Sequence, residues 1–206
     1  DILPMYRPHG LVEVGGKVYF TAEVNNVIGR YDIAKEKLDW IVGTGQTASH
    51  MLAVTADQKR IYTANVAVDT VTALEFGNVP PAGSKVTHIS VGKQPEAIDV
   101  SPDGKEVWVG LNVDNAIDVI DTATNKVVER IKLGERPFRL RFTPDGKQVI
   151  ATMPNTKEFI LLDAATRKEL KRIKSESIPL GIVFSKDSKL AFASVAEKGM
   201  VLKIDL

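Results

Sequence analysis

The chain has 206 residues, 44% of them hydrophobic and 26% charged, with a formal net charge of +1. Lysine and arginine are dispersed among acids, so no basic field draws the chain to nucleic acid or to an acidic membrane surface. Cysteine is absent, which excludes disulfides, thiolate metal sites and a cysteine nucleophile; nor is any apolar run long enough for a membrane-spanning helix. The first residue is Asp1 and strand-like sequence begins almost at once, which reads as a processed, truncated or excised piece without a signal peptide.

Residues 1–7 read as the end of an outer strand, because Ile2 stands before Pro8 as Ile131 stands before Pro137. A first repeat, over 8–48, opens on Pro8-His-Gly-Leu11 and contains a short hairpin at Gly15-Gly16. The second, 49–94, opens on Ser49-His-Met-Leu52 and is lengthened by Gly77-Asn-Val-Pro-Pro-Ala-Gly-Ser84. The third and fourth, 95–136 and 137–178, give the clearest match: Pro95-Glu-Ala-Ile-Asp-Val-Ser-Pro-Asp-Gly-Lys105 against Pro137-Phe-Arg-Leu-Arg-Phe-Thr-Pro-Asp-Gly-Lys147. The fifth, 179–206, opens on Pro179, again 42 residues further on, and stops at Lys203-Ile-Asp-Leu206 without its fourth run. Near-constant spacing of this size marks a repeat architecture.

Each repeat holds short runs rich in Val, Ile, Tyr, Phe and Thr. In the third they are Ala97 to Val100, Glu106 to Leu111, Ala116 to Ile120 and Lys126 to Leu133. Ser101-Pro-Asp-Gly-Lys105 is a turn between the first two, and Asp121-Thr-Ala-Thr-Asn-Lys126 a turn between the last two. Gln58 and Ser188 replace the turn glycine in copies two and five. Apolar residues recur on both faces of each predicted sheet, so one sheet cannot stand alone and stacks on the next. The expectation is an all-β chain forming a single domain, a β-propeller of four-stranded antiparallel blades with about five blades present.

The repeat resembles the YVTN family of β-propellers. Pro95, Val100-Ser-Pro-Asp-Gly-Lys105 and Val119-Ile-Asp-Thr122 carry the resemblance, while Tyr62-Thr-Ala-Asn65 and Trp108-Val-Gly-Leu-Asn112 are degraded forms of the naming tetrapeptide. The resemblance implies rings with more than five blades, most often seven. Two readings of the ends stay open: a fragment of a seven-bladed ring, or a five-bladed ring latched by its own termini. It also implies cell-surface and surface-layer relatives, and hence an exported protein, extracellular or periplasmic. More distant propellers of similar build include lactonases, lyases and redox subunits, and fold alone does not choose among them.

In such a propeller the first strand of each repeat lines the central channel, and the loops leading into it share a top face with the loops between second and third strands. The residue after each repeat's opening position is then His9, His50, Glu96, Phe138 and Leu180. His9, His50 and Glu96 fall in equivalent places on consecutive blades and are candidate ligands for a divalent metal, or candidate bases. The competing reading is that the imidazoles only bond neighbouring loops, with no cofactor. Further along the strand, Asp99 and Arg141 share a column on adjacent blades and are expected to form an inter-blade ion pair. Arg139 lies on the same face as Arg141, giving an arginine pair for an anionic group or, alternatively, a structural bridge. Asn65 and Asn112 bring amides to the top, beside Asn25-Asn26, Asp69, Asp114-Asn115 and Asn155-Thr156, a surface suited to protein, peptide or glycan. No calcium loop, nucleophile elbow or phosphate loop is present. Trp40 and Trp108 read as packing residues and His88 as an outer-strand surface residue. The preferred function is a non-enzymatic binding or cell-surface module; the alternative is a lactonase- or lyase-like metalloenzyme at the channel mouth.

Overall fold

A computed structural model describes residues 5–206. Among the described residues there are nineteen strands and no helix, so none long and apolar enough to cross a membrane. Blade one is β1 (Pro8–Val14), β2 (Lys17–Ala22), β3 (Val27–Asp32) and β4 (Lys37–Gly43). Blade two is β5 (Ser49–Val54), β6 (Arg60–Asn65), β7 (Thr70–Glu75) and β8 (Lys85–Ser90). Blade three is β9 (Pro95–Val100), β10 (Glu106–Leu111), β11 (Ala116–Asp121) and β12 (Lys126–Lys132). Blade four is β13 (Arg139–Phe142), β14 (Gln148–Met153), β15 (Glu158–Asp163) and β16 (Glu169–Lys174). Blade five is β17 (Pro179–Phe184), β18 (Leu190–Val195) and β19 (Met200–Asp205). Each blade is an antiparallel meander in chain order; the fifth has three strands. The pairing expected of Ile2 lies outside the described residues.

The turns form for the reasons legible in their residues. The hydroxyl of Thr55, Ser101, Thr143 or Ser185 donates to the aspartate two residues on, at 2.6–2.7 Å. That aspartate also accepts the amide of the lysine just before the next strand. Gly104 and Gly146 take the left-handed position with φ of 73° and 72°, and Gln58 and Ser188 accept the same conformation at 58° and 59°. At the other hairpins Asp121 and Asp163 accept the amides of Thr124 and Thr166 at 2.7 and 2.6 Å.

The opening strands neighbour one another, β1 with β5, β5 with β9, β9 with β13 and β13 with β17, whereas among outer strands β8 and β12 touch. The repeat-opening segments are therefore innermost, as the channel geometry requires. The core is divided into four clusters, each assembled from two adjacent blades. Trp108 of blade three is fully buried and meets Phe142 of blade four edge-on, with ring centroids 5.3 Å apart. Trp40 meets Phe76 of blade two in the same manner at 5.3 Å. Both tryptophans are packing residues, and His88 lies on outer strand β8, exposed.

One column shows what a neighbouring blade contributes. Leu52, Ile98, Leu140 and Ile182 are 1–5% exposed, each covered by the preceding blade, whereas Leu11, their counterpart on blade one, is 63% exposed. The opposite face of blade five is likewise uncovered: Val201 is 67% exposed, where its counterparts Val71, Ile117 and Phe159 are buried. Leu140→Ala is therefore expected to destabilise the chain by about 2–5 kcal/mol, and Leu11→Ala by no more than about 0.5 kcal/mol. Urea unfolding of the two variants measures the contrast, and equal losses would contradict the inter-blade account of the core.

Candidate functional site at the channel mouth

The top ends of β1, β5, β9 and β13, with the loops after β2 and β10, bring a group of charged side chains together at the mouth of the channel. Glu96, buried at the start of β9, is its hub. Its Oε1 lies 3.1 Å from His50 Nε2 and accepts from Arg139 Nη1 at 2.8 Å; its Oε2 accepts from Asn112 Nδ2 at 3.2 Å. Three successive blades are thus joined through one carboxylate. His50 also faces a second acid, with Nδ1 3.4 Å from Glu23 Oε2. His9 lies over His50, their ring centroids 3.7 Å apart and their planes 29° from parallel.

Electrostatics follow this geometry. Burial alone would raise the Glu96 carboxyl, but hydrogen bonds from His50 and Arg139 outweigh it and hold the group down at about 2. Partial burial, then the neighbouring His50 and Arg139, hold His9 below the ordinary imidazole value. Lower in the channel, the expected pair forms: Arg141 Nη1 donates to Asp99 Oδ1 at 3.3 Å, and the Phe142 amide donates to Asp99 Oδ2 at 2.9 Å. Burial raises the Asp99 carboxyl despite the opposing arginine.

The structure brings His9, His50, Glu96, Arg139 and Asn112 into one cluster, with Arg141 one step deeper. Two expectations change. The first is the metal site. The rings of His9 and His50 stack, both His50 nitrogens face carboxylates, and both Glu96 oxygens already have partners. The Arg139 guanidinium stands beside Glu96, where a divalent cation would be repelled. Among the described residues no group of three His, Cys, Asp or Glu side chains is placed to hold a metal ion, so His9, His50 and Glu96 do not fit one.

The second change is Asn65. It is fully buried inside blade two, where its Oδ1 accepts from Ser49 Oγ at 2.9 Å. Its Nδ2 donates to Thr70 and Thr72 at 3.0 and 2.9 Å. Its amide ties the ends of three strands and makes no part of the top surface. Position decides this: strand residues alternate faces, and the last residue of β6 points into the blade while the following one reaches the mouth.

That following position holds Glu23 on blade one and Asn112 on blade three, and Glu23 is the site residue that sequence reasoning missed. The signal was available, since Glu23 occupies the same place after its second strand as Asn112.

The arrangement defines a class: a β-propeller of antiparallel blades with a hydrogen-bonded charged hub at its channel mouth. The chain belongs to the YNCE-like beta-propeller family, whose model matches residues 14–191. Among curated proteins none matches. Among solved structures the chain is similar to Kuenenia stuttgartiensis Hydrazine Synthase, with a TM-score of 0.83 and 21% identity. That likeness covers the whole of this chain and 64% of the other, and at this identity it is a likeness of fold alone.

The depressed Glu96 carboxyl sets a pH dependence. In the unfolded chain the group takes up its proton near 4.5, in the folded chain near 2. Its stabilisation is therefore complete above about pH 4.5 and is lost as pH falls from there towards about 2. Glu96→Gln is expected to remove up to about 3 kcal/mol at pH 7 and to flatten the acid limb of the stability profile. Denaturant melts from pH 7 to pH 2.5 test this; an unchanged acid limb would rule the linkage out. Asp99→Asn should cost less than about 1 kcal/mol at pH 7, because burial opposes ionisation there and the amide oxygen still accepts from Phe142. Urea unfolding of that variant is the check.

Proposed function

We propose that the chain is a non-enzymatic binding module, at a cell surface or in the periplasm, whose channel mouth and top loops hold a protein, peptide or glycan partner. The observation that carries this reading is the closure of the Glu96 hub. A general base works best with a pKa near the operating pH, whereas three hydrogen-bond partners take three of the roughly four acceptor sites of Glu96 and its carboxyl is held down at about 2. His50 faces a carboxylate at each ring nitrogen. A hub of this kind fixes geometry across blades one to four and leaves recognition to its rim.

The rim offers fixed polar atoms. His9 is on the solvent side of the imidazole stack. Arg139 and Arg141 each use Nη1 for their blade-three carboxylates and line a cavity of about 360 Å3 with Met51, Val183 and Ser194. Convergent donors on a rigid sheet scaffold suit binding, because little order has to be gained when the partner arrives. The likeness to hydrazine synthase supports the architecture and contributes no activity to this reading. A metal-dependent lactonase or lyase is disfavoured by the hub's geometry, in which an arginine stands where an ion would sit.

Binding of the purified chain to immobilised peptide and glycan arrays tests the proposal. Saturable binding is expected, weakened at least about tenfold by His9→Ala, which removes no hydrogen bond, and unaffected by Lys105→Ala on the opposite face. Hydrolysis of a lactone panel in the presence of added zinc, manganese or magnesium would replace this reading with the enzymatic one. A native chain that binds nothing on either array would remove it.

A further inference from the structure

Blade four breaks the repeat at the channel mouth. In blades one, two, three and five the pairing of the inner strand with the second strand slips near its opening residues. In blade four β13 begins only at Arg139 and pairs with β14 without a slip. The residue before each repeat's opening position is left-handed in the first three blades, at Arg7, Ala48 and Gln94, and Arg136 is not. At the opening of β13 the Phe138 amide donates to the Thr152 carbonyl at 2.9 Å, and the Arg139 amide donates to Thr152 Oγ1 at 3.0 Å, as the Gly10 and Gly181 amides do to Thr21 and Ser194 on blades one and five. Irregularities of this kind re-aim side chains and are frequent beside sites.

The re-aimed side chains are two arginines and a phenylalanine. The Arg139 guanidinium carbon lies 4.1 Å from the centre of the Phe138 ring, and that of Arg136 lies 5.5 Å from it. Both are within cation–π range, so one ring fixes two guanidinium groups. Arg139 is neutralised by Glu96. Arg136 is not neutralised: it is the one arginine among the described residues with neither a carboxylate partner nor a side-chain hydrogen bond. The acid beside it, Glu135, accepts instead from the Arg136 backbone amide at 2.7 Å and from Asn155 Nδ2 at 2.8 Å. The Arg136 Nε is shielded from solvent and has no acceptor. Of the Arg136 guanidinium it is therefore the terminal nitrogens, for which the chain supplies no acceptor, that remain for a partner.

We propose that Arg136, held on Phe138 beside Arg139, is a carboxylate-recognition ledge at the rim of the channel, which takes the acidic side chain of a peptide partner or a free dicarboxylate. The inference rests on the binding reading above and names its chemistry. A guanidinium has a planar fork that matches a carboxylate with two parallel hydrogen bonds. The ring holds that fork in place before the anion arrives, so less side-chain freedom is lost on binding.

Titration calorimetry of the full chain tests this with three probes: acetyl-Glu-Glu-amide, its Gln-Gln counterpart, and glutarate. The acidic peptide is expected to bind at least about tenfold more tightly than the glutamine peptide. Arg136→Gln should abolish that difference with an unchanged melting temperature. Arg136→Lys should recover part of it, since an ammonium supplies charge without the fork, and Arg172→Gln on outer strand β16 should leave it intact. Glutarate competing as well as the peptide would identify a free carboxylate as the source, and failure to compete would identify the peptide. Equal binding of the acidic and amide peptides, an unaltered Arg136→Gln variant, or no heat with any probe overturns the ledge. Array binding that persists in Arg136→Gln would remove the ledge and leave the broader binding reading standing, whereas a native chain that binds nothing on the arrays would remove both.

Discussion

The fold depends on apolar contact between neighbouring blades. A single four-stranded sheet with two apolar faces has no interior of its own, and a blade here acquires one only from the blade beside it. The four core clusters show this, since each draws its buried residues from two blades. Burial of a leucine-sized side chain is worth about 1.5–3 kcal/mol, and the several such groups in each cluster together outweigh any hydrogen bond or ion pair in the molecule. Stability in this design passes from neighbour to neighbour. The opposite outer faces of blades one and five lack that cover, so they hold the least of it.

Polar interactions act on top of this packing and have a different task. Ion pairs that join blades are concentrated near the channel and at the bottom hairpins. Arg167 of blade four, for example, reaches Glu106 and Glu129 of blade three. Partly exposed ion pairs of this kind contribute modest net stability. What it supplies is register: an apolar face tolerates a small slide, whereas a carboxylate with three directional partners does not. The Glu96 hub therefore fixes how blades two, three and four sit against one another at the end where recognition is proposed.

Much of this was legible in the sequence, and the boundary of legibility has a physical cause. Spacing of the repeat prolines gave the blades, and the turn residues gave the hairpins, because both are local or periodic properties. The Asp99–Arg141 pair was legible too, since equivalent positions on adjacent blades must be neighbours. Asn65 was misplaced because the argument there turned on which way a single residue faces at a strand end. The metal reading meets the same boundary. Equivalent positions put His9, His50 and Glu96 close together, but proximity says nothing about where ring nitrogens point. Stacked imidazoles and a guanidinium inserted from a third blade are outcomes of side-chain direction, which column counting does not carry.

Regularity also makes exceptions informative. Where five copies of one unit are built by the same rules, the copy that abandons a rule does so against the local preference of its own repeat. Blade four shows no register slip at its inner strand, where the other four blades do, and like blade five it has no left-handed residue before its proline. Packing does not require this, because Leu140 and Phe142 fill the same core places as their counterparts on the other blades. Turn chemistry does not require it either, since Thr143-Pro-Asp-Gly-Lys147 is an ordinary copy of the repeat's turn. The departure is confined to the few residues that carry Arg136, Phe138 and Arg139. A change that the scaffold neither needs nor spreads is best explained by what it presents to solvent: two cations on one aromatic ring, one already matched with a carboxylate and the other without one.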